Sequence, residues 1–303
     1  VHFAVEMAAV VGTKPQELTL SLSPVSPLTM HDIAAEAIME MAKYGVIHAN
    51  LPCPTGGATS PMTITGSIVQ QSAESLAPLV LAQIINPGCG VVYCGRLGML
   101  EPRTGLIWGG VELGISSAAT VQLGHYYGFS VNVYGFSTNA HTLDAQSAFE
   151  RGLNAAIPAL AGADELSGIG EMEAGVMGSF AQMVLDNELV GSVQRLRRGL
   201  SADAEHLAVN IILDVMNGTR NFLGQKHTMK HLRGGEMALT KFAERNSWDT
   251  WDEKLGRKQM ADYALDEAER ILREHHVTPL SDEQEKELDK ILAAAEKETA
   301  KKK

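Results

Sequence analysis

What most constrains this chain is an alternation along its first 190 residues, in which short runs of β-forming residues are each followed by a longer helical segment. Strands are expected at Leu18–Ser23, Val46–Leu51, Gly90–Cys94, Ser130–Gly135 and Glu165–Gly170. Their starts lie roughly 28 to 44 residues apart, close to one strand plus one helix per unit. Helix punctuation falls between them. Thr29 followed by Asp32 reads as a capping box, and Gly45 as the stop of that helix. Ser60-Pro61 reads as a helix start running to about Ile85, where Asn86-Pro87-Gly88 ends it. Val111–Tyr127 ends at Gly128, Asp144–Ala161 ends at Gly162, and a longer helix runs from Ala174 to about Arg198.

Parallel strands need a crossover between them, so repeated units of this kind imply a parallel sheet. An open doubly wound sheet and a closed (β/α)8 barrel both fit the pattern. Five units are present where a barrel needs eight. Val1–Val11 reads as the last turns of a helix ending at Gly12, so the chain is expected to begin inside its domain and to lack about three leading units. A barrel missing strands would expose two edges, which favours assembly with another piece or another copy.

After residue 198 the character changes. An amphipathic helix is expected over Ser201–Asn217, then His227 and His231, an aromatic and acidic stretch around Trp248 and Trp251, and a helix from about Arg257 to His275. Ser281–Lys303 alternates acids and lysines and reads as a solvated, fraying helix. The expected organisation is therefore a barrel domain over 1–275, incomplete at its N-terminus and with C-terminal helices from about 199, followed by a charged tail over 276–303.

Charge narrows the function classes. Residues 1–190 hold 16 acids against five bases, whereas 191–303 hold 20 of each, so the net charge of −11 sits wholly in the first part. Nucleic acid is excluded as a partner for want of a basic face. The acidic body favours cationic ligands, or serves solubility. No apolar run approaches the roughly eighteen residues that cross a bilayer, so no membrane partner is expected. Three scattered cysteines (Cys53, Cys89, Cys94) do not make a disulfide framework and point to a reducing, cytoplasmic setting.

In a parallel α/β sheet, ligands lie beyond the carboxyl ends of the strands. There the second strand runs into Pro52-Cys53-Pro54-Thr55-Gly56-Gly57, a small-residue loop that reads as a tight turn or, at the helix start beyond it, an anion site. It lacks the lysine and spacing of a P-loop. The third strand ends Tyr93-Cys94-Gly95-Arg96, the fourth Tyr134-Gly135-Phe136-Ser137, the fifth Gly170-Glu171-Met172-Glu173. Aromatic rings and carboxylates meeting at one mouth suit a quaternary ammonium, which has no N–H to donate and is held by ring faces and diffuse negative charge. Aromatic residues on strands are as often core. Paired carboxylates would also serve glycoside hydrolysis. His227 and His231 are four apart and share a helix face as zinc ligands do, but no glutamate follows the first and no third ligand stands out, so no metal is expected.

Several of these stretches carry a family resemblance. Pro52–Gln71 (PCPTGGATSPMTITGSIVQQ), Ala82–Gly88 (AQIINPG), Ala155–Gly162 (AAIPALAG), Gln182–Leu189 (QMVLDNEL) and Asn221–Arg233 (NFLGQKHTMKHLR) resemble the trimethylamine methyltransferase family, over most of residues 15–275. The resemblance implies a (β/α)8 barrel, here truncated. It also implies transfer of a methyl group from a methylated amine to the cobalt of a separate corrinoid protein, with no cofactor held by this chain. The branch that uses trimethylamine carries pyrrolysine in the barrel mouth, for which Phe136–Asp144 is the matching region expected here. This sequence has twenty-letter residues throughout and so resembles the non-pyrrolysine branch, whose members act on quaternary amines such as glycine betaine. The implied substrate-binding residues are Tyr93, Arg96, Phe136, Ser137, Glu171 and Glu173, with Arg96 anchoring a carboxylate, and the implied corrinoid-facing residues are His227 and His231. A non-catalytic binder of quaternary amines, or an inactive piece, is the alternative.

Overall fold

The computed structural model describes residues 1–301. Helix α1 (His2–Val10) leads to strand β1 (Thr19–Leu22), α2 (Asp32–Tyr44) and β2 (Ile47–Asn50). A short β3 (Thr55–Gly56) precedes α3 (Ile64–Ile85) and β4 (Val91–Gly95). Next come β5 (Gly98–Leu100), β6 (Ile107–Trp108), α4 (Val111–Tyr126), β7 (Val131–Tyr134), α5 (Ala145–Leu160) and β8 (Glu165–Ser167). A hairpin of β9 (Glu171–Met172) and β10 (Met177–Gly178) follows. The rest is helical: α6 (Phe180–Arg198), α7 (Ala204–Leu207), α8 (Val209–Asn217), α9 (Lys226–Arg233), α10 (Met260–Glu274) and α11 (Asp282–Lys301). None of the described helices is long and apolar enough to cross a membrane.

The chain divides into two compact units. One comprises Val1–Ser179 with the segment from Glu269 onward, the other Phe180–Ala268.

In the first unit, β1, β2, β4, β7 and β8 form one parallel sheet in that order, all five falling where the sequence placed them. Each strand pairs with that of the preceding βα unit, which is not the order of a doubly wound sheet, where the chain returns to the middle. Right-handed crossovers in such an order put every helix on the same face. Leu20, Leu22, Val91, Tyr93, Val131 and Val133 point to that face and meet Ile38, Met41, Leu79, Ala82 and Val121 of α2, α3 and α4. Among the described residues this sheet has five strands, with β1 and β8 at its edges; an eight-stranded closed barrel is not formed by them.

Local chemistry fixes these joints. Gly45, at φ 73°, takes the left-handed turn that ends α2, and Val46 N–H then bonds the Met41 carbonyl at 3.0 Å. Asp144 caps α5 by accepting from Ser147 N–H at 3.1 Å. Pro78 inside α3 has no N–H to give the Glu74 carbonyl four residues back. Asn50, at the end of β2, donates its side-chain amide there instead, at 2.7 Å, and to the Ser75 carbonyl at 3.2 Å. The apparent flaw in α3 is thus a bolt between helix and strand.

Three elements differ from expectation. Helix α3 begins at Ile64 with Thr63 as its cap, because the Ser60 hydroxyl turns to Ser67 at 2.7 Å. The expected Ser201–Asn217 helix is broken at Ala208, which sits at φ 51° between α7 and α8. The C-terminal tail does not lie free in solvent. Helix α11 docks on α1, burying Ile291 and bonding Gln284 to the Val10 carbonyl at 3.2 Å. Its one apolar stripe is covered, and the alternating charges occupy the remaining faces.

Candidate functional site

The face of the sheet away from the helices is polar toward β7 and β8 and carries Ile47, Ala49 and Val92 on β2 and β4. By strand register Cys94, Asn132 and Glu165 share that face, as do Tyr134 and Ser167. Arg96 leaves the end of β4, and its backbone N–H bonds the Pro52 carbonyl at 3.1 Å, which ties the β4 and β2 loops together.

Arg96 is half-buried, and its guanidinium is fixed on two sides. Nη1 donates to the Gly95 carbonyl at 3.0 Å and the Asn132 carbonyl at 3.1 Å, and Nη2 donates to Asn132 Oδ1. Its carbon lies 4.7 Å from the centre of the Tyr134 ring. These partners are all neutral: among the described residues Arg96 forms no ion pair. Of its five N–H donors, Nε–H and the second hydrogen of Nη2 are left, and these lie along one edge of the guanidinium, the geometry that takes a carboxylate by two parallel bonds.

Glu171, from β9, lies near the hydroxyl end of Tyr134. A Cβ built on Gly175 would lie 3.5 Å from Glu171 Oε2 and 4.0 Å from the Tyr134 hydroxyl, so both groups border that glycine, and its φ of 90° keeps a side chain out. Oε2 of Glu171 is buried with no hydrogen-bond partner among the described residues. Burial raises the Tyr134 hydroxyl above its ordinary pKa, the Glu171 charge adds to that, and Arg96 opposes it. Burial likewise pushes the Cys94 thiol up to about 12, so it is a neutral wall of the site at physiological pH.

The loop positions depend on one buried cation. Arg151 of α5, 1% exposed, donates to the Phe136 carbonyl at 2.5 Å and to Met172 Sδ at 3.5 Å, joining the loop after β7 to the strand that carries Glu171.

Of the sequence-derived residues, Arg96 and Glu171 come together here. Tyr93 does not. It lies on the helix-facing side, fully buried, stacked on Phe129 at 6.1 Å and packed against Gly124, because its strand position has the parity of the core. It is packed as a core ring and does not join Arg96 and Glu171. Phe136 is 2% exposed and Ser137 6%, so neither opens onto a mouth; their carbonyls serve Arg151 and Asn154. Glu173 was expected to share a direction with Glu171, but β9 ends at Met172 and Glu173 turns to φ 50°, its N–H on the Ala140 carbonyl at 3.1 Å. The proline- and glycine-rich loop after β2 closes on itself: the Thr55 carbonyl accepts from Ala58, Thr59 and Ser60 N–H. His227 and His231 lie on α9 in the second unit, with ring centres 4.2 Å apart.

Sequence reasoning missed Tyr134 and Asn132 as site residues. The signal was available, since both share the parity of Arg96 on neighbouring strands and are opposite in parity to Val131 and Val133.

Arg96 and Glu171, without ion-pair partners among the described residues, thus both lie at Tyr134 by the strand ends, where ligands bind in α/β folds. The family model for trimethylamine methyltransferase (MTTB) matches residues 6–300, and the chain belongs to that family. It is 31% identical over 280 residues to the trimethylamine methyltransferase MttB of Methanosarcina barkeri strain Fusaro, covering 92% of this chain and 56% of that one. It is also 31% identical over 302 residues to the MttB of Desulfitobacterium hafniense strain DCB-2, covering 97% and 60%. To the glycine betaine methyltransferase of D. hafniense strain Y51 it is 31% identical over 257 residues, covering 83% and 53%. The chain thus spans little more than half the length of these relatives.

Proposed function

We propose that this chain takes part in methyl transfer from a zwitterionic methylated amine, of the glycine betaine type, to the cobalt of a separate corrinoid protein, and that its five units belong to a (β/α)8 barrel. The observation that carries the substrate class is the placement of Arg96 and Glu171, each without an ion-pair partner among the described residues, at the same ring, Arg96 over Tyr134 and Glu171 near its hydroxyl. A betaine has one carboxylate and one permanent cation, and this site offers the complement of each. The free edge of Arg96 takes the carboxylate. Glu171 and the Tyr134 ring receive the N-methyl groups.

The corrinoid supplies a cobalt nucleophile when its carrier docks; the tasks of this chain are binding, orientation and exclusion of water. The carbon–nitrogen electron pair stays on nitrogen as the methyl leaves, so a quaternary amine departs as a neutral tertiary amine and needs no proton. Positive charge on nitrogen disappears along this path, so a tight grip on the cation would hold the ground state back. With Arg96 already over one face of Tyr134, the ring attracts a second cation only weakly, within the roughly 0.5–2 kcal/mol of such contacts. Specificity then rests on the carboxylate end, away from the bond that breaks. His227 and His231 are engaged with Glu205, His227 on its carbonyl at 3.1 Å and His231 beside its carboxylate at 3.3 Å, and no step is assigned to them.

The test is methyl transfer to a reduced corrinoid carrier across several amines, with Arg96→Met beside the parent. Carboxylated substrates should lose at least tenfold in apparent affinity, about 1.4 kcal/mol, while tetramethylammonium changes little. Equal losses on both substrates would reject the assignment. Because the chain covers about half of its relatives, binding of quaternary amines without transfer is the second reading, and the same assay separates the two.

A further inference from the structure

We infer that the second unit holds a divalent transition-metal site of the zinc class, formed by His206, His231 and Glu236. The sequence offered His227 and His231 on one helix and no third ligand. Folding brings α7 against α9, so that one ligand atom from each of His206, His231 and Glu236 lies within 4.8 Å of the others. Around a zinc ion with bonds of about 2.1 Å the ligand atoms stand roughly 3.4 Å apart. Rotation of two imidazoles and one carboxylate by about an ångström therefore closes the set. Two nitrogens and one oxygen, with a fourth position for water, is an ordinary zinc complement.

The surroundings prepare these groups as ligands. Asp203 Oδ2 lies 2.7 Å from His206 Nδ1. Its other oxygen accepts from the His206 backbone N–H at 3.0 Å, so both carboxylate oxygens serve as acceptors. Nδ1 therefore carries the hydrogen and Nε2 presents its lone pair, the arrangement by which a carboxylate orients a metal-binding histidine. Nε2 of His231 is buried and makes no hydrogen bond, for Glu205 Oε1 at 3.3 Å is not aligned to accept one. Arg195 of α6 fixes Glu236 by its carbonyl at 2.8 Å and by one carboxylate oxygen at 3.2 Å, leaving the other oxygen. Arg198 holds the neighbouring Gly235 carbonyl. His227, its ring beside that of His231, is the nearest further nitrogen donor. This inference is independent of the methyl-transfer reading, since all of these residues lie outside the unit that holds Arg96 and Tyr134.

The experiment is calorimetric titration of the chelator-stripped full chain with zinc chloride, followed by thermal melting with and without zinc. One equivalent should bind and raise the melting temperature. His206→Gln and His231→Gln should each weaken binding more than 100-fold, and Asp203→Asn, which keeps an oxygen for the His206 backbone N–H but removes the charge beside the far ring nitrogen, by about 10- to 100-fold. His125→Gln, at a histidine paired with Asp164 in the other unit, should leave binding unchanged. Absence of stoichiometric binding, or undiminished binding in the His206 and His231 variants, would overturn the assignment. Should those variants fail to fold, cobalt(II) on the parent decides the matter. A spectrum of nitrogen and oxygen ligands supports the site, and a thiolate charge-transfer band would place the metal on cysteine and overturn it.

Discussion

His48 offers the most quantitative test of how this sheet is packed. Register puts it on the same face as Leu20 and Val91, which pack into the cluster around Ile38, Met41 and Ala82. It is 1% exposed, and neither ring nitrogen reaches a hydrogen-bond partner among the described residues. Burial lowers its pKa from 6.5 to about 4, with the Leu20 backbone offsetting only part of the effect. Between those values the unfolded chain binds the proton and the folded chain does not, so stability is complete above about pH 6.5 and falls as the pH drops toward 4. Fully expressed, the difference is worth about 3.4 kcal/mol at 1.36 kcal/mol per pH unit. Going from pH 7 to pH 5 expresses about 1.5–2 kcal/mol of it, a range that barely moves if the folded value is 3 or 5. Carboxylates titrate in this window too, so the measurement is a comparison. Urea unfolding, followed by circular dichroism, is run at pH 7 and pH 5 on the parent and on His48→Leu, which keeps the volume and removes the titration. The variant should lose about 1.5–2 kcal/mol less than the parent. An equal loss in both chains, or an imidazole that titrates near 6.5 in the folded protein, would refute the reasoning.

Two further outcomes follow from packing. A Cβ at Gly124 would stand 2.3 Å from Val131 Cγ2 and 3.0 Å from Tyr93 Cδ1, so Gly124→Ala should destabilise the first unit by about 1–3 kcal/mol in urea titration and loosen the Tyr93–Phe129 stack, seen as a change in near-ultraviolet circular dichroism. Arg151→Met, which strips the donors from the Phe136 carbonyl inside a buried site, should cost about 2–4 kcal/mol and also lower transfer activity, because the loops that carry Tyr134 and Glu171 lose their common tie; full activity in a well-folded variant would show that the tie is dispensable.

The sheet was readable in advance because its strands are bounded by strong punctuation: Gly45, Asn86-Pro87-Gly88, Gly128 and Gly162 all fall at helix ends, and the spacing between them admits little else. The site was readable only in part. Arg96 stood out as one of five bases in 190 residues, and Glu171 as an acid past a strand end. Val131-Asn132-Val133-Tyr134 alternates and so marks the face of Tyr134, whereas Val91-Val92-Tyr93-Cys94 does not alternate, and the face of Tyr93 depends on register across β4 and β7, a long-range property. Glu173 was lost through a left-handed backbone turn that breaks the two-residue alternation. The His206, His231 and Glu236 grouping joins residues up to 30 apart through the meeting of two helices, so spacing within one helix could not display it.

The strand order has a consequence for how such a chain is made and remade. Each strand finds its partner in the unit synthesised just before it, so pairing can advance along the nascent chain without waiting for distant segments. A further unit laid against either edge would leave every existing pairing undisturbed. Lengthening and trimming by whole units is therefore the cheapest kind of variation open to this architecture, whereas a sheet whose chain returns to its middle would have to be rethreaded.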